Sequence, residues 1–368
     1  PLPEADVAKL FDQLGFKYKQ TDGVFDVTPP SYRFDISIEE DLIEEIARLH
    51  GYDNIPATAP HADLNMLPAA ETKLNRAWLS DILAANGYQE IVSYSFVDES
   101  WERDLLGNAD PIPLKNPIAS NMSVMRSGLW GGLLDTLIYN LNRKQEHVRL
   151  FEIGAAYSRS AAGYSETTRI SGLAYGDVAP EQWAQAAREV DFFDIKAEVN
   201  LLTNGRAQFA VGHHPALHPG QSAQVTLDGK AIGWLGKLHP KWQQHYQLPR
   251  GTILFELDAE PLLKRALPQY AEVAKFPPAR RDLAVIVDEK IPVQAILDTM
   301  LGAKIPLVNE VALFDVYRGK GIAENKKSLA FLVLMQDTQK TLTDLEADAA
   351  VAKLLELIVC QHGAELRT

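Results

Sequence analysis

The final stretch of the chain constrains the fold most, because its hydrophobic period switches between strand and helix spacing in a fixed order. Residues 282–287 (DLAVIV) alternate like a strand, 293–301 repeat at helical spacing, and 308–317 and 328–335 are strand-like again. A last helix begins at Thr343, where Glu346 three positions on completes a capping box, and runs to about Gln361. Residues 364–367 then supply a fourth strand. The order β-α-β-β-α-β predicts a ferredoxin-like split βαβ domain.

Proline-marked breaks separate this module from the rest. NIPATAPHADLNMLP at 54–68 and LPQYAEVAKFPP at 267–278 read as linkers. A chain of 368 residues also exceeds what one hydrophobic core usually supports. Three modules follow: an acidic one at 1–56, a middle one at 62–266 and the C-terminal one at 275–368. In the first, residues 4–14 predict a helix stopped by Gly15, 24–28 a strand, and 38–49 a second helix ended by Gly51. Ser37 and Glu40 are its expected capping box. The middle module mixes helices, such as 71–86, with many strands, and predicts an α+β unit with an antiparallel sheet.

No apolar run approaches the roughly 20 residues that span a bilayer, and the first residues lack the layout of a signal or transit peptide. A cytoplasmic protein is expected. The single cysteine, Cys360, excludes an internal disulfide and, among apolar neighbours, reads as a buried core thiol. The net charge of -13 argues against a chain that coats nucleic acid. From Lys275 onward, however, 12 Lys and Arg balance 13 Asp and Glu, so only this module suits a phosphate backbone.

Six carboxylates crowd residues 35–45: Asp35, Glu39, Glu40, Asp41, Glu44 and Glu45. Asp41, Glu44 and Glu45 stand at i, i+3 and i+4 on one helical surface. Oxygen ligands without His or Cys suit magnesium. Spacing alone favours a solvated acidic face, aided by the helix dipole.

PPSYRFDISIEEDLIEEIARLHGYDNIP resembles a stretch of bacterial phenylalanyl-tRNA synthetase β subunits reading roughly P-S-W-R-x-D, then D-L-x-E-E-x-A-R-x-Y-G-Y-x-x-I-P. Tyr32 and His50 depart from it while keeping an aromatic ring. The resemblance implies a magnesium site, shared with the α subunit, on Asp35, Asp41, Glu44 and Glu45. LKNPIASNMSVMRSGLWGGLL, followed by LFEIGAAY, resembles the family's segment akin to the second signature of class II aminoacyl-tRNA synthetases. Leu129, Leu133, Leu137 and Leu141, spaced by four, are core candidates. Such an active site needs arginines poised over the ATP phosphates, and no glycine-rich strand followed by Glu-Arg occurs after Gly154. The expectation is a degenerate synthetase core without catalytic residues. In VGHHPALHPG, His213, His214 and His218 lack a helix, cysteine or carboxylate to complete a zinc set. The family's H-P-G turn gives them a structural reading.

PPARRDLAVIVDE, FDVYRGKGIAENKKSLAFLVLMQD and TLTDLEADAAVAKLLELI are similar to the family's ferredoxin-fold anticodon-binding domain. An RNA partner is therefore implied. The candidates are Arg280, Arg281, Arg318, Lys320, Lys326 and Lys327 for phosphates, with Phe314 and Tyr317 for stacking on unpaired bases. Solubility cations and core aromatics are the alternative for each.

The resemblance as a whole implies a non-catalytic β subunit in an (αβ)2 assembly with a catalytic α subunit, which uses ATP and magnesium to attach phenylalanine to tRNA(Phe). A truncated subunit is expected, without the family's N-terminal tRNA-binding module and editing domain. Two other classes stay open: a self-standing RNA-binding regulatory protein, and a metal-dependent enzyme centred on the acidic cluster.

Overall fold

The computed structural model describes residues 2–65, 70–161, 163–270 and 272–367. Residues 66–68 of the first expected linker and Ala271 of the second lie outside the described residues. The chain separates into two units, 1–70 and 71–368.

The first unit contains α1 (Glu4–Gln13), β1 (Lys17–Thr21), β2 (Val24–Thr28) and α2 (Glu39–His50). Gly15, at φ 69°, ends the first helical turn-out in a conformation open to glycine. Strands β1 and β2 pair antiparallel, Lys17 opposite Thr28. Phe11, Phe16 and Ile36 form the buried centre, with Tyr18, Phe25, Leu42 and Ile46 against it. The expected Ser37 cap is displaced by one residue. Ile38 occupies the N-cap, and the Asp41 carboxylate accepts the backbone N–H groups of Ser37 and Ile38 at 2.7 and 3.0 Å. A carboxylate one turn in satisfies the free amides that the serine hydroxyl does not reach.

The second unit opens with α3 (Arg76–Ala85), β3 (Gln89–Glu90), β4 (Phe96–Val97), β5 (Ile112–Pro113), β6 (Val124–Met125) and α4 (Trp130–Leu141). It continues through β7 (Val148–Ser160), β8 (Gly163–Tyr175), α5 (Phe192–Leu202), β9 (Ala207–Val211), β10 (Leu217–Leu227), β11 (Lys230–Leu238), α6 (Pro240–His245), β12 (Thr252–Asp258) and α7 (Ala259–Leu262). Helix α3 starts five residues later than its apolar pattern suggests, because Asn75 takes the Trp78 N–H and sets the start. The main sheet has the order β3-β7-β8-β12-β11-β10-β9; all its pairings are antiparallel except β3 with β7. Strands β4, β6 and β5 form a small separate sheet.

Two apolar clusters hold this core. One gathers α3 and α5 on the sheet through Leu79, Leu83, Ile195, Val199 and Phe255. The other seats α4 through Trp130, Leu133, Leu134 and Leu137, joined by Leu150, Leu173 and Leu254. The leucines expected every fourth residue are buried from Leu129 to Leu137, and Leu141 packs at the margin. Gly233 (φ 156°) packs so closely on the Glu256 carbonyl that no Cβ fits.

The C-terminal part contains β13 (Ala279–Asp288), α8 (Val293–Gly302), β14 (Val308–Tyr317), β15 (Lys326–Met335), α9 (Asp344–His362) and β16 (Glu365–Leu366). The sheet order β14-β15-β13-β16 is wholly antiparallel and confirms the ferredoxin-like arrangement. Thr343 caps α9 with its partner Glu346 as expected. Cys360 corrects an expectation: it is exposed. Leu354 and Ile358 face the core one turn apart, and two residues past Ile358 the helix has rotated to its outer side. Among the described residues no helix is long and apolar enough to cross a membrane.

Candidate functional site

Two of the six clustered carboxylates, Asp35 and Glu45, are paired with arginines. Arg33, in the turn before α2, donates from Nε and Nη2 to Asp35 at 3.0 and 2.7 Å, and from Nη2 to Glu45 at 3.0 Å. Arg48 donates to the other Glu45 oxygen at 2.6 Å. Arg33 thus holds the Asp35 carboxyl below its ordinary value, and Arg33 and then Arg48 do the same for buried Glu45. Asp41 is lowered by the two amides it caps. Glu44 is exposed and makes no ion pair among the described residues. The donor chemistry suits magnesium, but the arrangement does not. Among the described residues no three His, Cys, Asp or Glu side chains converge to hold a metal, and a guanidinium stands beside Asp35 and Glu45.

In the core, a cleft of about 390 Å³ opens over the sheet between β8, β11 and β12, lined among others by Trp130, Arg169, His214, Trp234, Glu256 and Asp258. Arg169, the arginine of that lining, donates to Glu256 at 2.5 Å and lies 3.5 Å from Asp258. Glu256 is buried, and burial raises its carboxyl above the ordinary value despite that pairing. The cleft's cation is therefore committed to internal acids. His214 sits between Trp130 and Trp234, at centroid distances of 4.9 and 5.5 Å. Its Nδ1 accepts the Ala216 N–H at 3.2 Å, and burial, followed by the Arg169 charge, lowers the imidazole to about 4. His218 Nδ1 accepts the Gly220 N–H at 3.0 Å, holding the H-P-G turn.

The ferredoxin-like sheet buries one face under α8 and α9 through Leu283, Val285, Val287, Leu329, Phe331 and Val333. Alternation puts the partnered rows Arg280–Leu334, Asp282–Leu332, Ala284–Ala330 and Ile286–Ser328 on the other face. A register irregularity between Leu313 and Asp315 carries Phe314 outward, 53% exposed. Arg280 lies over its ring at 5.8 Å. Tyr317 pairs with Ser328 on this face, and Arg367 reaches over its ring at 5.0 Å while donating to Ser328 Oγ at 3.1 Å. The open face therefore offers two aromatic rings, each beside a guanidinium, around a partly buried aliphatic floor.

The other expected cations are mostly engaged elsewhere. Arg281 ties β13 to α9 through Asp344 and Asp348, at 2.6 and 2.8 Å. Arg318 pairs with Glu289 at 2.7 Å and holds that carboxyl below its ordinary value. Lys326 pairs with Glu365, and Lys327 is buried with its ammonium on the Glu289 carbonyl at 2.8 Å. Lys320 is exposed and makes no ion pair among the described residues. Sequence reasoning brought together Arg280, Phe314 and Tyr317. It missed Arg367, whose only signal is its place just past the last strand.

Comparison with known proteins agrees with this architecture. Residues 1–52 match the tRNA synthetase B5 domain, 55–259 the phenylalanyl tRNA synthetase beta chain CLM domain, and 274–367 the ferredoxin-fold anticodon binding domain. The phenylalanine-tRNA ligase beta subunit of Nitrosospira multiformis is 52% identical over 368 residues, covering 100% of this chain and 46% of that protein. That of Chromobacterium violaceum is 49% identical over 362 residues, covering 98% and 46%. A solved pyrrolysyl tRNA synthetase from Desulfitobacterium hafniense aligns over 53% of this chain and 74% of that one, with 14% identity and a TM-score of 0.37, too slight a likeness to weigh. The chain spans about half the length of the curated relatives it matches. With a family match across more than half of its residues and two further synthetase domains flanking it, the chain belongs to the phenylalanyl tRNA synthetase beta chain family.

Proposed function

We propose that this chain acts as the non-catalytic β part of a cytoplasmic phenylalanine-tRNA ligase, supporting a catalytic α subunit and holding the anticodon region of tRNA(Phe). The observation that carries the reading is three synthetase domain matches in order along one chain, with relatives about half identical along nearly all of this chain. The functional divisions fall at 1–56, 62–266 and 275–368. Arg169, the cleft's arginine, is committed to Glu256 and Asp258, which supports placing ATP and its magnesium on the partner, where phosphoryl charge needs open cations. The open sheet face supplies what unpaired bases need, aromatic rings beside guanidinium groups. Phe314, Tyr317 and Lys320 lead the RNA contacts; Arg280, which pairs with Asp282 at 2.9 Å, joins Arg281, Arg318, Lys326 and Lys327 in belonging to that set only if its pair opens.

The test is light scattering on a size-exclusion column, with the chain alone and then mixed with a phenylalanyl-tRNA synthetase α subunit. A stable mixed species, of (αβ)2 mass in the full reading, is the expected outcome. A chain that binds tRNA and never joins an α subunit would instead be a self-standing RNA-binding protein.

A further inference from the structure

We infer that the cleft over β8, β11 and β12 is a binding site for a small organic monocation, a primary amine on a short aromatic or apolar body, with its ammonium at Asp258 and its body against Trp234. The site goes beyond the β-subunit reading and does not depend on which subunit the chain joins.

Strand register builds the site. Gln224 on β10, Trp234 on β11 and Glu256 on β12 stand directly opposite one another, and Asp258, two residues along β12 on the same side, stands opposite Arg169 of β8. All five line the cavity of about 390 Å³. Its charges do not balance. Among the described residues Arg169 is the cation of the lining, and it faces the carboxylates of Glu256 and Asp258, with buried Glu102 a third acid acting on it. Its Nη1 donates to Glu256 at 2.5 Å, whereas its buried Nε, 3.5 Å from Asp258, makes no hydrogen bond. Asp258 is therefore left with one loose contact and with a carboxyl that burial raises despite Arg169.

A positive group beside Asp258 supplies the missing counter-charge, and a cleft with one sign in excess concentrates such groups from solution. A phosphate or carboxylate meets the reverse, two acids and a committed guanidinium. A bare metal ion is disfavoured as well, since among the described residues no three His, Cys, Asp or Glu side chains converge. Indole in the lining suits an organic ammonium. His214, held between Trp130 and Trp234 at 4.9 and 5.5 Å, is neutral there and adds no competing charge. The volume lies at the small end of the range for ligand pockets, which sets the size of the body.

The test titrates the 368-residue chain with benzylamine, benzyl alcohol and benzoate, which share a ring and differ in charge, and reads binding by saturation-transfer nuclear magnetic resonance. Benzylamine should bind about tenfold or more tightly than benzyl alcohol, the effect of one nearby charge, and benzoate weakest. Asp258→Asn should lose that advantage while melting close to the parent, because the side chain is partly exposed and makes no hydrogen bond among the described residues. Trp234→Leu should weaken benzylamine and benzyl alcohol together. Glu310→Gln, exposed on β14 of the ferredoxin-like sheet, controls for the chain's overall negative charge and should bind as the parent does. Equal affinity for benzylamine and benzyl alcohol in the parent chain overturns the inference, as does absence of benzylamine binding. Equal losses in Asp258→Asn and Glu310→Gln, or no loss in Asp258→Asn, overturn it too.

Discussion

The side chain of Glu256, on β12, accepts the backbone N–H of Leu129 at 2.7 Å, fastening the start of α4 to a strand 127 residues later in the chain. The same carboxylate takes Arg169 at 2.5 Å. Glu256→Ala therefore leaves the Leu129 amide unpaired and the partly exposed Arg169 with Asp258 alone, and should cost about 2–3 kcal/mol in urea unfolding. Glu256→Gln keeps an acceptor and should cost clearly less. A Glu256→Ala chain within about 0.5 kcal/mol of the parent, the range of ordinary surface changes, would show that the joint is not structural.

His214 gives the core a pH dependence of defined sign. Its folded value of about 4 lies below the ordinary 6.5, so between those limits the unfolded chain binds the proton first and stability falls with pH. The contribution is full above about 6.5, lost progressively to about 4, and amounts to about 3 kcal/mol at most. His214→Gln should flatten that part of the melting-temperature profile. An unchanged slope would move the dependence to other groups.

On the open ferredoxin sheet, Phe314→Ala and Tyr317→Ala should each weaken tRNA(Phe) binding by about 1–3 kcal/mol, the worth of one base stacked on an aromatic ring. Both should leave the salt dependence unchanged. Lys320→Glu should lower the salt slope by about one phosphate contact or more. Arg281→Ala, which frees α9 from β13, should alter melting more than binding. Filter binding across a salt series separates these outcomes, and an indifferent Phe314 would remove the face from the interface.

At the start of α9, Thr343→Ala removes a cap and should cost about 1 kcal/mol. Lys340, then the Thr343 amide and hydroxyl, hold the Glu346 carboxyl down to about 2. A lowered folded value stabilises above the ordinary carboxylate range and is lost as pH falls towards 2. The melting difference between the parent and Glu346→Gln should accordingly shrink over that window. A difference independent of pH would assign the effect to packing.

Local signals carried most of the fold. Gly15, Gly51, the Thr343–Glu346 box and the alternation of 282–287 each act within a few residues, and the elements they mark stand where their spacing puts them. Strand β1 was not legible because KYKQT offers neither alternation nor an apolar run; its pairing with β2 creates it. The acidic cluster and the two stacking aromatics were visible as residue types. Their partners were not: Arg33 meets Glu45 12 positions away and Arg367 meets Ser328 39 positions away, and only the folded chain sets those distances. The same limit explains Cys360, whose apolar neighbours in sequence are not its neighbours in space.

The order of the seven-stranded sheet has a consequence for how the core assembles. Strands β9 to β12 follow one another as a meander, and β7 with β8 is a single hairpin, so most ladders close over short loops. The entropic cost of long-range closure concentrates at two seams, β8 with β12 and β3 with β7. Glu256 and its grip on Leu129 and Arg169 lie at the first of these. A chain altered there should form its hairpins at the usual rate and stall when they must be joined, with slow refolding and aggregation through the uncovered edges of β8 and β12.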